Sequence, residues 1–208
     1  MEQEKRLSEQ DSLKIIQQMI QTAKQEQKGD GKGWILWGWL LFAASVLTYL
    51  NLKTQWFSNY FFWNVFGIAS LLLLLFSIIR TLFFKKTSKV KTYTAELFHK
   101  LNIGFFISLL LIIMAINRGV SPVLGFSLLL GLYGFWILIY GAGLNFKPSI
   151  IGAYITWSFA FAGLFVETFD WTMIFHAMAV LLGYIIPGHI ANIEFNKAHG
   201  QENKNRSV

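Results

Sequence analysis

The sequence predicts an all-α, polytopic membrane protein with six transmembrane helices and a cytosolic N-terminal amphipathic helix. Three observations predict it. Of 208 residues, 54% are hydrophobic and only 14% charged, whereas soluble domains carry nearer a quarter charged residues. The apolar residues fall in blocks that occupy most of 34–188. Apart from Arg80, Lys and Arg avoid those blocks and gather in alternate connections. Hydrocarbon rather than a soluble core is the solvent such blocks need, because a helix crosses about 30 Å of bilayer in about 20 residues.

Residues 1–33 form a polar arm. Leu13, Ile16, Ile20 and Ala23 recur at helical spacing, and Ile15 and Met19 widen the stripe. Ser8 followed by Asp11 reads as a capping-box-like start. Gly29, Gly31 and Gly33 break the pattern, so a helix over about 9–28 on a glycine hinge is expected. The opening is polar, with charges of both signs and no secretory signal pattern.

The six expected spans are 34–50, 60–84, 101–117, 122–143, 149–166 and 171–188, followed by a polar cytosolic tail over 189–208. Short connections make neighbours antiparallel. The linker from Lys85 to Lys100 is longer, and its Thr94 to Lys100 end predicts an early start for the third helix. With the N-terminus inside, sixteen of the eighteen Lys and Arg face the cytoplasm, and only Lys53 and Arg118 lie outside. The positive-inside pattern thus places both termini in the cytoplasm. The same pattern accounts for the net charge of +7 without nucleic acid as a direct partner. Tryptophan and tyrosine at the ends of the spans fit the aromatic belts of a bilayer interface.

Candidate chemistry is sparse. There is no Cys, which excludes disulfides, thiolate metal sites and cysteine nucleophiles. No Asp, Glu, Lys or Arg falls at the expected midplane, which counts against a proton-coupled transporter or a charged pore. Ser108, Tyr133, Thr156, Trp157 and Ser158 do fall at mid-depth, where they either line a small site for a neutral ligand or bond within the bundle. Glu167, Asp170 and His176 gather near one end of the last two spans. They are weak candidates for a metal or pH site, since their spacing matches no known ligand pattern. Small residues form stripes: Gly152, Thr156 and Ala160, Ser127 with Gly131, and Ala179 with Gly183. They predict close helix packing in the last three spans, with a dimer seam as the alternative. Nothing predicts a cofactor.

The arm's charges balance, with Glu9, Asp11 and Glu26 against Lys14, Lys24 and Lys28, whereas a helix lying on a membrane usually has a basic face. Leu13, Ile16, Met19 and Ile20 are therefore expected to contact protein: the chain's own bundle, a second copy in a homo-oligomer, or a cytosolic partner. The stretches Tyr140-Gly-Ala-Gly-Leu-Asn-Phe-Lys-Pro-Ser-Ile-Ile-Gly and Gly183-Tyr-Ile-Ile-Pro-Gly-His, with Ser12-Leu-Lys-Ile-Ile-Gln-Gln-Met-Ile, Leu36-Trp-Gly-Trp and the isolated Trp157, resemble uncharacterised six-helix inner-membrane proteins of Bacteroidota. That resemblance implies a layout akin to membrane proteins encoded beside small winged-helix regulators, and it supplies no catalytic residue. The expected function is non-enzymatic signalling or scaffolding through the arm. The alternatives are a small oligomeric transporter or channel for a neutral or lipidic solute, and a lipid-modifying enzyme built on Glu167, Asp170 and His176.

Overall fold

In the computed structural model, residues 12–17, 19–20, 30–83 and 93–206 are described, and no strand occurs among them. The helices are α1 (Lys32–Thr54), α2 (Phe61–Phe83), α3 (Tyr93–Asn117), α4 (Pro122–Leu144), α5 (Lys147–Gly163), α6 (Phe169–Val180) and α7 (Ile186–Arg206). A π-turn over Leu181–Ile185 joins α6 and α7 into one rod. Four helical stretches are long and apolar enough to cross a membrane: Lys32–Thr54, Ala95–Asn117, Pro122–Leu144 and Phe169–Lys197. The α5 helix is shorter, at 17 residues.

Local chemistry sets the helix ends. Gly31 stands at φ 69°, a left-handed conformation that favours glycine, and leads into α1. Ser121 accepts the Leu124 N–H at 3.2 Å, with Pro122 at the first helical position of α4. Asn145 takes the left-handed turn that ends α4, and Pro148 stands in the first turn of α5. The turn after α1 is braced from within the helix. Asn51 Nδ2 donates to the carbonyls of Phe57 and Ser58 at 3.1 Å, and the Phe57 N–H donates to Asn51 Oδ1 at 2.8 Å.

The centre of the bundle is built from α1, the α4–α5 hairpin and the α6–α7 rod. Ala153, Met173, Ala179 and Ala191 are fully buried there. Trp157 locks the hairpin by donating its indole N–H to the Gly131 carbonyl at 2.9 Å. One end of the core gathers Phe98, Leu144, Phe146 and Ala191, with Trp34 and Tyr140 packed on them. The other end gathers Phe126, Leu129 and Met173, with Trp63 and Phe169. These two are called below the Lys32 end and the Lys53 end. The remaining helices flank the centre: α2 leans on α1 and α3 on α4, so the two splay apart. Their outer faces carry exposed Leu72, Phe76, Ile107, Leu110 and Leu111, a surface suited to lipid tails.

Several expectations need correction. The glycine hinge does not extend through 29–33. Gly29 lies outside the described residues, but Gly31 is buried, and a Cβ there would stand 2.7 Å from the Gly188 carbonyl oxygen. Asn192 Nδ2 also donates to the Asp30 carbonyl at 2.6 Å, so this segment is tied to α7, and Gly33 lies within α1. The tail expected over 189–208 is helical to Arg206, because nothing after Pro187 interrupts the backbone bonds of α7. The early start expected for the third helix is present, since that helix begins at Tyr93, eight residues before the apolar segment. Of the arm helix expected over 9–28, residues 12–17 and 19–20 are helical; 9–11, 18 and 21–28 lie outside the described residues, as do 84–92 of the basic linker.

Candidate functional site

Where α2 and α3 splay, a lateral cleft of about 720 Å3 enters the bundle. One wall is α2, with Asn64, Gly67, Ile68 and Leu71, and the other is α3, with Leu109, Ile113, Ile116 and Asn117. Phe126, Leu129 and Tyr133 of α4 and His176 of α6 close its inner side. The size falls within the roughly 300–1,000 Å3 of small-molecule sites. The lining contains no Lys, Arg, Asp or Glu. Tyr60, Asn64 and Asn117 put neutral polar groups at the Lys53 end, and apart from Tyr133 and His176 the remaining lining is apolar, aliphatic and aromatic.

Two residues that meet from distant parts of the chain carry the inner side. His176 is 1% exposed and Ser45 fully buried, and Ser45 Oγ lies 2.8 Å from His176 Nδ1. The same hydroxyl donates to the Leu41 carbonyl at 2.8 Å. Three aromatic rings stand nearly perpendicular to the imidazole: Trp63 with centroids 5.1 Å apart, Phe126 at 5.8 Å and Tyr133 at 6.5 Å. Trp63 is held in turn by its indole N–H on Met173 Sδ at 3.3 Å. Seven residues into α6, His176 lies about 10 Å from its start, since a helix rises about 1.5 Å per residue.

The structure separates Glu167, Asp170 and His176. Glu167 is exposed on the turn, Asp170 pairs with Lys53 of α1, and His176 faces Ser45 inside. Among the described residues no three His, Cys, Asp or Glu stand together as a metal site. Lys53 and Asp170 lie beyond the apolar stretches 34–50 and 171–188. The hydrogen bonds from Lys53 and then from the Thr168 hydroxyl hold the Asp170 carboxyl well below the usual carboxylate range, at about 2. The same Asp170 bond raises Lys53.

The small residues mostly stand where helices meet. Gly152, Thr156 and Ala160 of α5, Ala179 of α6 and Gly183 of the π-turn are all buried. Ser127 is buried with its hydroxyl against Gly163. Gly131 differs: a Cβ there would meet nothing within 4 Å, and its contribution to packing is the carbonyl that accepts from Trp157. Ser108, Thr156 and Ser158 turn their hydroxyls back onto the carbonyls of Gly104, Gly152 and Tyr154. The arm residues Leu13, Ile16, Met19 and Ile20 are all more than half exposed.

Sequence reasoning missed Ser45, although a signal for it existed. Leu41, Ser45, Thr48 and Asn51 recur every three or four residues along α1, and all four are buried. A polar stripe within an apolar span marks the face turned to protein. The α2–α3 cleft had no such signal, because its walls resemble lipid-facing helix in composition. The chain matches no family model, no curated protein and no solved structure.

Proposed function

We propose that this is a six-span, non-enzymatic protein of the cell inner membrane, with both termini in the cytoplasm, that admits a neutral lipophilic ligand sideways from the bilayer into the α2–α3 cleft. The observation that carries the reading is the splay of α2 and α3, which leaves a charge-free hollow bordered by apolar helix faces. An ion would lose its hydration in such a space without a counter-charge. A hydrocarbon chain would lose little on leaving lipid, and the aromatic inner side gives it rigid surface to lie on. The two helices with the least packed flanks, α2 and α3, are also those best placed to move as a ligand enters. The reading includes α2 and α5 as spans, and it keeps kinship with the uncharacterised Bacteroidota proteins as part of the proposal.

Photolabelling tests it. A diazirine-bearing alkyl chain, added to the protein in lipid nanodiscs, is expected to label peptides containing Gly67–Leu71 and Leu109–Ile113. Substituting Gly67→Trp, which fills the cleft, is expected to suppress that labelling while labelling of the exposed face of α5 at Ile151 and Phe161 persists. Labelling spread evenly over all exposed faces, unchanged by Gly67→Trp, would overturn the cleft as a site.

A second reading rests on the arm. Leu13, Ile16, Met19 and Ile20 present an apolar stripe at the chain's surface. Such a stripe suits contact with a cytosolic protein or a second copy of this chain. In that reading the protein signals to or scaffolds its partner, and occupancy of the cleft is what it reports.

A further inference from the structure

We infer that the cleft selects a hydroxyl-bearing lipophile, a neutral long-chain alcohol or phenol, by donation of the ligand's hydroxyl to Nε2 of His176; this rests on the cleft being a ligand site. The hydrogen-bond network assigns the tautomer. Ser45 has one hydroxyl proton, and it goes to the Leu41 carbonyl. Its lone pairs then face Nδ1, so the proton between the two groups belongs to the imidazole. A neutral imidazole with its proton on Nδ1 has an acceptor at Nε2. Among the described residues no donor reaches Nε2, although every fully buried side-chain nitrogen or oxygen has its partner. His176 is itself among the residues that line the cleft.

An acceptor in an apolar chamber discriminates by what it leaves unsatisfied. A hydroxyl ligand satisfies it, whereas an ether, a ketone or an alkane buries a bare lone pair against carbon or oxygen. The surroundings narrow the class further. The lining offers no cation for a phosphate or carboxylate head and no carboxylate for an amine. Trp63, Phe126 and Tyr133 stand around the imidazole nearly perpendicular to it, so a ligand at His176 meets aromatic surface and no charge. A second copy of the chain is a poorer occupant, because a transmembrane helix spends its backbone donors internally and could offer only a side-chain hydroxyl.

The test is competition for the alkyl photolabel on the full-length protein in nanodiscs, using hexadecanol, its methyl ether, 2-heptadecanone and hexadecane. Hexadecanol is expected to displace the label at about five- to tenfold lower concentration than the others, the span of one hydrogen bond to a neutral acceptor. His176→Phe keeps an aromatic ring but removes the acceptor, and is expected to flatten the series while labelling of the cleft persists. Histidine 15N spectra are expected to show the His176 proton on Nδ1 in wild type, with a change in Ser45→Ala. This measurement stands even if His176→Phe fails to fold. Equal competition by alcohol and ether would overturn the hydroxyl inference and leave the cleft as an unselective chain site. Preference for ether or ketone, or a proton on Nε2, would overturn it in favour of a donor histidine. Failure of all four compounds to displace the label would remove the cleft reading itself, and this inference with it.

Discussion

Gly183 and Gly152 meet backbone to backbone: a Cβ on Gly183 would stand 2.7 Å from the carbonyl oxygen of Gly152, and one on Gly152 would collide with that of Gly183. Thr156 closes the same contact, since its Oγ1 blocks any side chain on Gly183 while donating to the Gly152 carbonyl at 2.9 Å. Small residues allow membrane helices to associate by contact of their backbones, which is how α5 and the π-turn are held together here.

The first prediction follows from that contact. Gly152→Ala and Gly183→Ala should each lower the melting temperature in detergent, by an amount equivalent to about 1–3 kcal/mol, because backbone must shift to admit the methyl group. Gly152→Leu should abolish detergent-stable protein. Gly104→Ala provides the control, as nothing lies within 4 Å of its Cβ position, and it should melt no lower than wild type. Fluorescence-detected size exclusion after heating measures all four. Unchanged melting of both Gly152→Ala and Gly183→Ala would contradict the contact.

A second prediction concerns topology. A cytoplasm-dependent reporter should be active after Lys89 or Val208, and an exterior-dependent one after Lys53, Arg118 or Thr168. An exterior signal at Val208 would break the even number of spans and with it the assignment of α2 and α5.

A third concerns pH. The folded-state carboxyl of Asp170 sits at about 2, lowered first by its bond to Lys53, against an ordinary value of 3.8. A lowered acid adds stability that is present above about pH 4 and fades as pH falls towards 2. Lys53 is raised, so its share is present below its ordinary 10.5 and is lost only above that. The melting difference between wild type and Asp170→Asn should therefore be constant from pH 5 to 9 and shrink at pH 2.5. It should be small, and smaller in high salt, because the pair is solvent-accessible. A difference that grows on acidification would contradict the pairing.

A fourth concerns the arm. Leu13→Asp combined with Ile20→Asp should leave melting of the helical bundle unchanged, since both side chains are exposed and touch none of the cores described above. It should abolish recovery of any protein that co-purifies through the arm. A drop in melting temperature would show instead that the arm docks on its own bundle. Vesicle binding by a soluble arm fusion should be weak and insensitive to salt, given its balanced charge.

The sequence carried the helices better than their relations. Blocks such as Trp34–Leu50 and Pro122–Gly143 are legible because lipid imposes a length and a polarity on any helix that crosses it. The Gly152–Thr156–Ala160 stripe was legible because small residues have few other reasons to recur at that spacing. The fate of Gly31 was not. Glycine signals a special backbone angle equally in a flexible linker and in a fixed cap, and only Gly188 and Asn192 of α7, over 150 residues away, decide between them. The histidine shows the same limit. His176 grouped by chain proximity with Glu167 and Asp170, yet its partner is Ser45, 131 residues away. Nor could composition reveal that α2 and α3 stand apart, since a wall of a cleft and a face toward lipid use the same residues.

The π-turn between α6 and α7 changes the phase of a single rod. Its widened loop closes with the Ile186 N–H on the Leu181 carbonyl, five residues back, where an ordinary helix reaches four. Pro187 follows at once and has no N–H to return to Gly183. One extra residue turns everything downstream by about 100°, because a helix has about 3.6 residues per turn. The half before the turn thereby aims His176 at Ser45, and the half after it aims Asn192 at the Asp30 carbonyl. Deleting a single residue from Leu181–Ile185 would restore an unbroken helix and misalign one half against α1. Gene length at this one place is therefore as constrained as any side chain: a codon lost here acts like a twist applied to a key already in its lock.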